Sequence, residues 1–400
     1  MFDINRRKGC IMELNLLIYI TIALFFALLS SKLMKLIKLP NVTGYLIVGL
    51  LAGPYVLNII PKGTVDSLGI ISDVALGFIA FSIGAEFRFS YLKKVGKAPI
   101  IIACLESIGA VLVVDFSLIL TGHDVPFSLC LGAIAAATAP AATLMVVKQY
   151  KASGPVTDTL LPVVALDDAT ALMCFGISVA IAKTIEGGAG DSLLTTIATP
   201  LLEILTALAI GIGAGIIFRF AIKWFTGRGN RLAITYALVF LCIGLGTMLN
   251  VSSLLACMAL GATLVNTSSF ADVVFEQTDR MTPPIFMMFF FLSGAGLDIS
   301  IIPSVGLIGA IYIVTRVAGK MLGSFVGAKI SNADKKVQKY LGFTLIPQAG
   351  VAIGLATTAM SIVPDYGSRI RTIILCGTVI YELTGPVITK LALKKAGEIS

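Results

Sequence analysis

Charge is scarce in this 400-residue chain: Asp, Glu, Lys and Arg make up 13% of it, against 57% hydrophobic residues. Soluble domains carry about 25% charged residues, so the composition excludes one and describes a polytopic membrane protein. Histidine is nearly absent. The single one, His123 in TGHDVP, reads as a loop residue and leaves no histidine-based metal centre or nucleophilic machinery. The seven cysteines (Cys10, Cys104, Cys130, Cys174, Cys242, Cys257, Cys376) form no CxxC pair, and most lie inside apolar runs, so neither a disulfide nor a metal site is expected. The net charge of +8 does not gather on a soluble face but punctuates apolar spans, which argues against nucleic acid as a partner. No soluble block separates the last apolar run from Lys394–Ser400, so a soluble regulatory domain is not expected, nor a resident cofactor, nor enzymatic catalysis.

What is abundant is apolar sequence of bilayer length. Hydropathy and breaker residues predict an all-α membrane protein of about thirteen spans, near 13–37, 42–60, 66–87, 98–121, 126–149, 155–182, 195–224, 231–249, 252–269, 283–298, 303–328, 338–362 and 370–393. The first is too long, and too directly followed by lysines, for a cleaved signal peptide; Met12 is an alternative start that would make residues 1–11 a leader. With the N-terminus outside and the C-terminus inside, 21 of the 30 Lys and Arg residues fall at cytoplasmic ends and 7 at the opposite ends. That threefold excess predicts the orientation, in a cell (inner) membrane.

The remaining two cations, Arg316 and Lys320, lie mid-span in SVGLIGAIYIVTRVAGKMLGSFVGA, at i and i+4 on one helix face. Two anions, Asp167 and Asp168, lie within the apolar run LLPVVALDDATALMCFGISVAIA. A charge at bilayer depth costs at least about 2.5–3.5 kcal/mol on insertion scales, so an intramembrane acid pair is a functional site by default. Two cations and two anions sum to zero, which predicts that the Arg316/Lys320 helix faces the Asp pair. Adjacent helical residues point about 100° apart, so one acid can face a water-filled cavity while the other faces the cations. The pair titrates as a coupled unit. Its oxygens suit either a proton or a small hard cation, but not both at once, and competition for a site opened alternately to each side is exchange.

Two further spans carry a proline among small residues at mid-depth, Pro140 in ATAPAAT and Pro347 in LIPQAGVA, 207 residues apart. A mid-span proline frees backbone carbonyls that lipid cannot satisfy, which is tolerated where the break lines a cavity. Their spans are the fifth and the twelfth, a separation of seven, so the two units have opposite orientations, the trace of an inverted repeat whose broken helices meet near the midplane. Gln348 beside the second break is a candidate cavity amide, and Glu382 in YELTGPV a candidate partner for Arg316.

Together LPNVTGYLIVGLLAGP, LGFIAFSIGAEF, TAPAATLMVVKQYKASGPVTDTLLPVVALDDATAL, FFFLSGAGLD, TRVAGKMLGSFVGA and LIPQAGVAIGLA resemble the second monovalent-cation:proton antiporter family, part of the sodium/proton exchanger superfamily, over essentially the whole chain. The resemblance implies a single transporter unit with a core domain, approximately 66–182 plus 283–393 less flanking spans, moving elevator-like against a dimerisation domain, approximately 13–60 plus 195–269. It implies a homodimer. Asp168 would be the principal ion and proton carboxylate, Asp167 would pair with Lys320 and release it when sodium binds, and Thr138 at the crossing would help close the site around Na+. In that family Asp-Asp with a lysine goes with electrogenic exchange and Asn-Asp with an arginine with electroneutral exchange; this chain holds both Lys320 and Arg316.

The expected activity is therefore Na+/H+ exchange, with K+/H+ exchange the nearest alternative. An intramembrane aspartyl protease needs its acids on different helices, and an open channel is disfavoured by tightly paired buried charge. A sodium-coupled solute symporter of the same architecture would use Arg316 and Lys320 to grip an anionic solute.

Overall fold

The computed structural model describes residues 15–89, 96–185 and 193–399, and every regular element among them is helical. Helices α1 (Leu16–Leu36) and α2 (Asn41–Ala52) come first, and a short helix, Lys62–Ser67, leads into α3 (Gly69–Gly84). Next come α4 (Ala98–Leu120), α5 (Val125–Ala135), α6 (Pro140–Tyr150) and α7 (Pro155–Ile185). A middle group holds α8 (Leu193–Trp224), α9 (Arg228–Met248), α10 (Ser253–Thr267), α11 (Ala271–Met281) and α12 (Pro283–Ala295). The chain continues with α13 (Gly306–Ile330), α14 (Lys335–Thr344), α15 (Gly350–Ile362) and α16 (Pro364–Ala396).

Eight helical segments among the described residues are long and apolar enough to cross a bilayer, α5 and α6 counting together as one, and four shorter apolar helices, α2, α3, α10 and α12, accompany them. The expected span 338–362 corresponds to the broken segment made by α14 and α15. The expected span 42–60 is helical only as far as Ala52. It stops where Gly53 meets Pro54, which cannot donate a backbone hydrogen bond.

The inverted repeat is visible in the element order. Helices α4 to α7 are 23, 11, 11 and 31 residues long, and α13 to α16 are 25, 10, 13 and 33. Contacts obey the same relation, because α2 packs on α12 just as α10, the counterpart of α2, packs on α3, the counterpart of α12. Lipid supplies no hydrophobic drive between helices, so these contacts rest on close backbone approach at small residues. A Cβ on Gly49 would lie 2.0 Å from the Phe291 carbonyl oxygen, and one on Gly261 2.2 Å from that of Phe81.

Helix α13 meets α4 along Gly319, Gly323 and Gly327, a GxxxGxxxG stripe. A Cβ on Gly323 would lie 2.2 Å from the Leu105 carbonyl oxygen. This seam brings the mid-span cations of α13 against α4 and against the two breaks.

Candidate functional site

Helix α5 ends at Ala135 and α6 starts at Pro140, leaving 136–139 unwound; α14 ends at Thr344 and α15 starts at Gly350, leaving 345–349 unwound. The two strands of irregular backbone cross, and the Ala139 N–H donates to the Pro347 carbonyl at 2.8 Å. Thr143 Oγ1 donates to the Thr344 carbonyl at 3.1 Å across the same junction.

Freed carbonyls at such a crossing need donors, and α13 delivers them. Arg316 is fully buried, and its guanidinium donates through Nε to Ala135 O at 3.0 Å, through Nη2 to Ala137 O at 2.8 Å and through Nη1 to Ile346 O at 2.7 Å. One planar fork thereby ties both breaks together, a task suited to arginine's several fixed donors. The Tyr381 ring lies 4.5 Å from its central carbon. Gln348 donates from Nε2 to Ile134 O at 3.0 Å and accepts from the Tyr312 hydroxyl at 3.0 Å.

One turn further along α13, Lys320 does something else. Its buried ammonium donates to Glu106 Oε2 at 2.7 Å and to Thr138 Oγ1 at 2.7 Å, with Asp167 Oδ2 at 3.5 Å. Ser107 donates to Asp167 Oδ1 at 2.9 Å and lies 2.8 Å from the Thr170 hydroxyl. Asp167 is thus held on both oxygens. Its neighbour Asp168 is only 3% exposed, and among the described residues its Oδ1 has no hydrogen-bond partner.

The helix bearing both acids is fixed at its start. Glu398 accepts from the backbone N–H of Val156 at 2.6 Å and of Thr157 at 2.8 Å, and from the Thr157 hydroxyl at 2.7 Å. An acid at a helix N-terminus satisfies orphan donors and opposes the dipole favourably. Sequence reasoning missed Glu398, because a cap supplied from more than two hundred residues away leaves no local signal.

Three expectations need correction. Of the two cations predicted to face the Asp pair, only Lys320 reaches an acid among the described residues; there Arg316 is not a charge partner. Positions i and i+4 share a face but are displaced by about 6 Å along the axis, which suffices to reach a different set of atoms. Glu382, expected to pair with Arg316, does not; it is 4% exposed and lines a cavity of about 970 Å³ that also reaches Thr138, Pro140 and Ala349. The principal carboxylate on Lys320 is instead Glu106. Its signal was present as an acid in mid-span of 98–121, the kind of residue that membrane energetics reserves for function.

A helical membrane protein whose inverted halves each contribute a broken helix to one buried, charged crossing belongs to the class of secondary transporters built on inverted repeats. The model of the sodium/hydrogen exchanger transmembrane family matches residues 20–394, and the chain belongs to that family. Its fold is similar to that of the sodium proton antiporter MjNhaP1 from Methanocaldococcus jannaschii, with a TM-score of 0.70, 19% identity and 96% of each chain covered. Among curated relatives, the Na(+)/H(+)-K(+) antiporter GerN of Bacillus cereus is 23% identical over 92% of this chain and 95% of its own. The Na(+)/H(+) antiporter NhaS4 of Synechocystis is 23% identical over 83% and 85%. Cation/H(+) antiporter 20 of Arabidopsis thaliana is 23% identical over 79% of this chain, which spans only 41% of that relative's length.

Proposed function

We propose that the chain is a monovalent cation:proton antiporter, with Na+ the leading substrate and K+ the alternative. The observation that carries this reading is the contrast within one acid pair: Asp167 is held by Lys320 and Ser107, whereas Asp168 keeps a buried oxygen with no partner among the described residues. A buried carboxylate without a donor is costly to fold and suited to taking either a proton or a dehydrated cation. Thr138, between Lys320 and the cavity, offers a hydroxyl oxygen to the same ion, and Asp167 a carboxylate once Lys320 moves.

The solute-symporter alternative loses its anion grip, because Arg316 is engaged with three carbonyls and Lys320 with Glu106. The relatives named as Na+/H+ antiporters favour the same substrate class.

We assign alternating access to movement of α4–α7 with α13–α16 against the remaining helices, in a homodimer. This leaves α3 and α12, the spans that flank the core, with the static part, where their glycine-mediated contacts lie. The Lys and Arg bias sets the N-terminus outside, and by that orientation the cavity with Lys62 and Arg371 among its lining residues faces outward.

The test uses purified protein in sealed liposomes with an internal pH dye and added NaCl, KCl or LiCl. Cation-driven proton movement that vanishes in Asp168→Asn is the expected result. A mutant with normal flux would remove Asp168 from the centre of the mechanism, and no proton movement with any cation would return the symporter reading. Repeating the assay with the potential clamped reads the stoichiometry: a clamp-dependent flux means that a second proton moves beside the one on Asp168.

A further inference from the structure

We propose that Glu382 forms a second cation subsite, separate from Asp168, at the inner end of the large cavity, where a small monovalent cation binds before entering the crossing.

The cavity of about 970 Å³ runs between charged residues, Lys62, Asp66 and Arg371, and the first break, where Thr138 and Pro140 line it. Along one wall, Arg371, Thr378 and Glu382 of α16 stand at i, i+7 and i+11, one face of a helix. A glycine on the next turn of α16 fixes the depth of Glu382. Gly385, three residues on and about 4.5 Å along the axis, presses on the second break, where a Cβ would lie 2.8 Å from Pro347 Cγ. Glu382 therefore sits beside the crossing and not at the mouth.

Among the described residues its carboxylate has no hydrogen bond or ion pair, although the side chain is 4% exposed. The nearest candidate cation, Arg316, is spent on Ala135, Ala137 and Ile346. Thr378, one turn earlier and 3% exposed, also keeps an unpartnered Oγ1. The Glu382 carboxylate opens onto the cavity, and beside it a buried hydroxyl left unpaired is expensive unless something enters to satisfy it. Hard oxygen donors without histidine or cysteine suit an alkali cation rather than a transition metal. The lining carries three carboxylates, Asp66, Asp298 and Glu382, against the two cations Lys62 and Arg371, and low-dielectric walls focus this negative excess and raise the local cation concentration.

In transport, this subsite rests on the antiporter reading, because it supplies cations to Asp168; in binding it stands alone. Two measurements separate the two. In oriented vesicles, Glu382→Gln is expected to raise the apparent KM for Na+ about tenfold when the cation is offered to the face bearing Lys62 and Arg371, with Vmax nearly unchanged and KM from the other face unaltered. Glu382→Asp restores most of the affinity. An unchanged KM on that face, an equal rise on both faces, or a fall in Vmax alone overturns the subsite and leaves Glu382 a structural acid. In detergent, Asp168→Asn protein is expected to keep a weak Na+-specific thermal stabilisation over choline chloride, which Asp168→Asn/Glu382→Gln loses. Equal shifts in both proteins, or none in either, also overturn it. A wild-type protein that exchanges nothing yet shows this binding pattern would sink the antiporter reading while the subsite stands.

Discussion

The two halves of the molecule share a backbone plan and differ at each charged position of the site. Shifting by the 207 residues between the two prolines sets Asp167 and Asp168 opposite Ile374 and Leu375, Glu106 opposite Ile313, Arg316 opposite Gly109, and Lys320 opposite Val113. Even Thr138 has an apolar counterpart, Leu345. The first half supplies anions and the second supplies cations, so the site exists only where both meet. Repetition provides the geometry of two crossing breaks, and divergence provides the chemistry. A symmetric site would place like charges together, which a low-dielectric interior punishes.

The largest way to break that asymmetry is Asp168→Asn, which leaves a group of the same shape without charge. Exchange is expected to vanish while helicity and monodispersity stay at wild-type values, read by circular dichroism and size exclusion on the same preparation. Next is Arg316→Ala. It strands the carbonyls of Ala135, Ala137 and Ile346, each worth about 1–3 kcal/mol when buried and unsatisfied. The expected outcome is a protein that loses its folded state in detergent. Arg316→Lys is expected to rescue only part of this, because one ammonium cannot span both breaks. A melting temperature unchanged in Arg316→Ala would show that the crossing does not depend on this fork.

Lys320→Ala sharpens the comparison between the two cations of α13. It leaves Glu106 and Asp167 buried without their ammonium, and breaking a buried pair in this way costs about 3–5 kcal/mol. The double variant Lys320→Met/Glu106→Gln removes both charges of the shorter contact and is expected to recover most of the lost thermal stability. Recovery by Lys320→Met/Asp167→Asn instead would make Asp167 the structural partner and Glu106 the bystander.

Much of the site is legible from particular residues. Pro140 and Pro347 announce the breaks because proline's missing donor is written in the residue itself. Asp167, Asp168 and Lys320 announce the site because membrane energetics makes each one costly. The role of Arg316 is not legible. Summing charges treats an arginine as half of an ion pair, whereas three freed carbonyls, which carry no sequence signal, satisfy it as well. The same bookkeeping hides Glu106, since two cations against Asp167 and Asp168 already balance. The helix lengths of α2, α3, α10 and α12 are overestimated for a different reason: hydropathy continues through residues that glycine contacts and irregular turns have taken out of the helix.

The smallest effect tests the least conspicuous asymmetry, the hydroxyl at position 138. Thr138→Val keeps the shape and removes the oxygen that accepts from Lys320 at 2.7 Å and lines the cavity. Lys320 retains Glu106 at 2.7 Å, so the loss of one acceptor costs only about 1 kcal/mol and the melting temperature falls slightly. In transport the same change removes one ligand from a cation but nothing from a proton, which needs only Asp168. KM for Na+ is therefore expected to rise about threefold while Vmax at saturating cation holds. Because Na+ and H+ compete for Asp168, the handicap is expected to be greater at acidic pH, where a weakened cation must displace a more abundant proton. A variant whose KM is unchanged at every pH would mean that Thr138 serves Lys320 alone, and that the cation is held without the first break's hydroxyl.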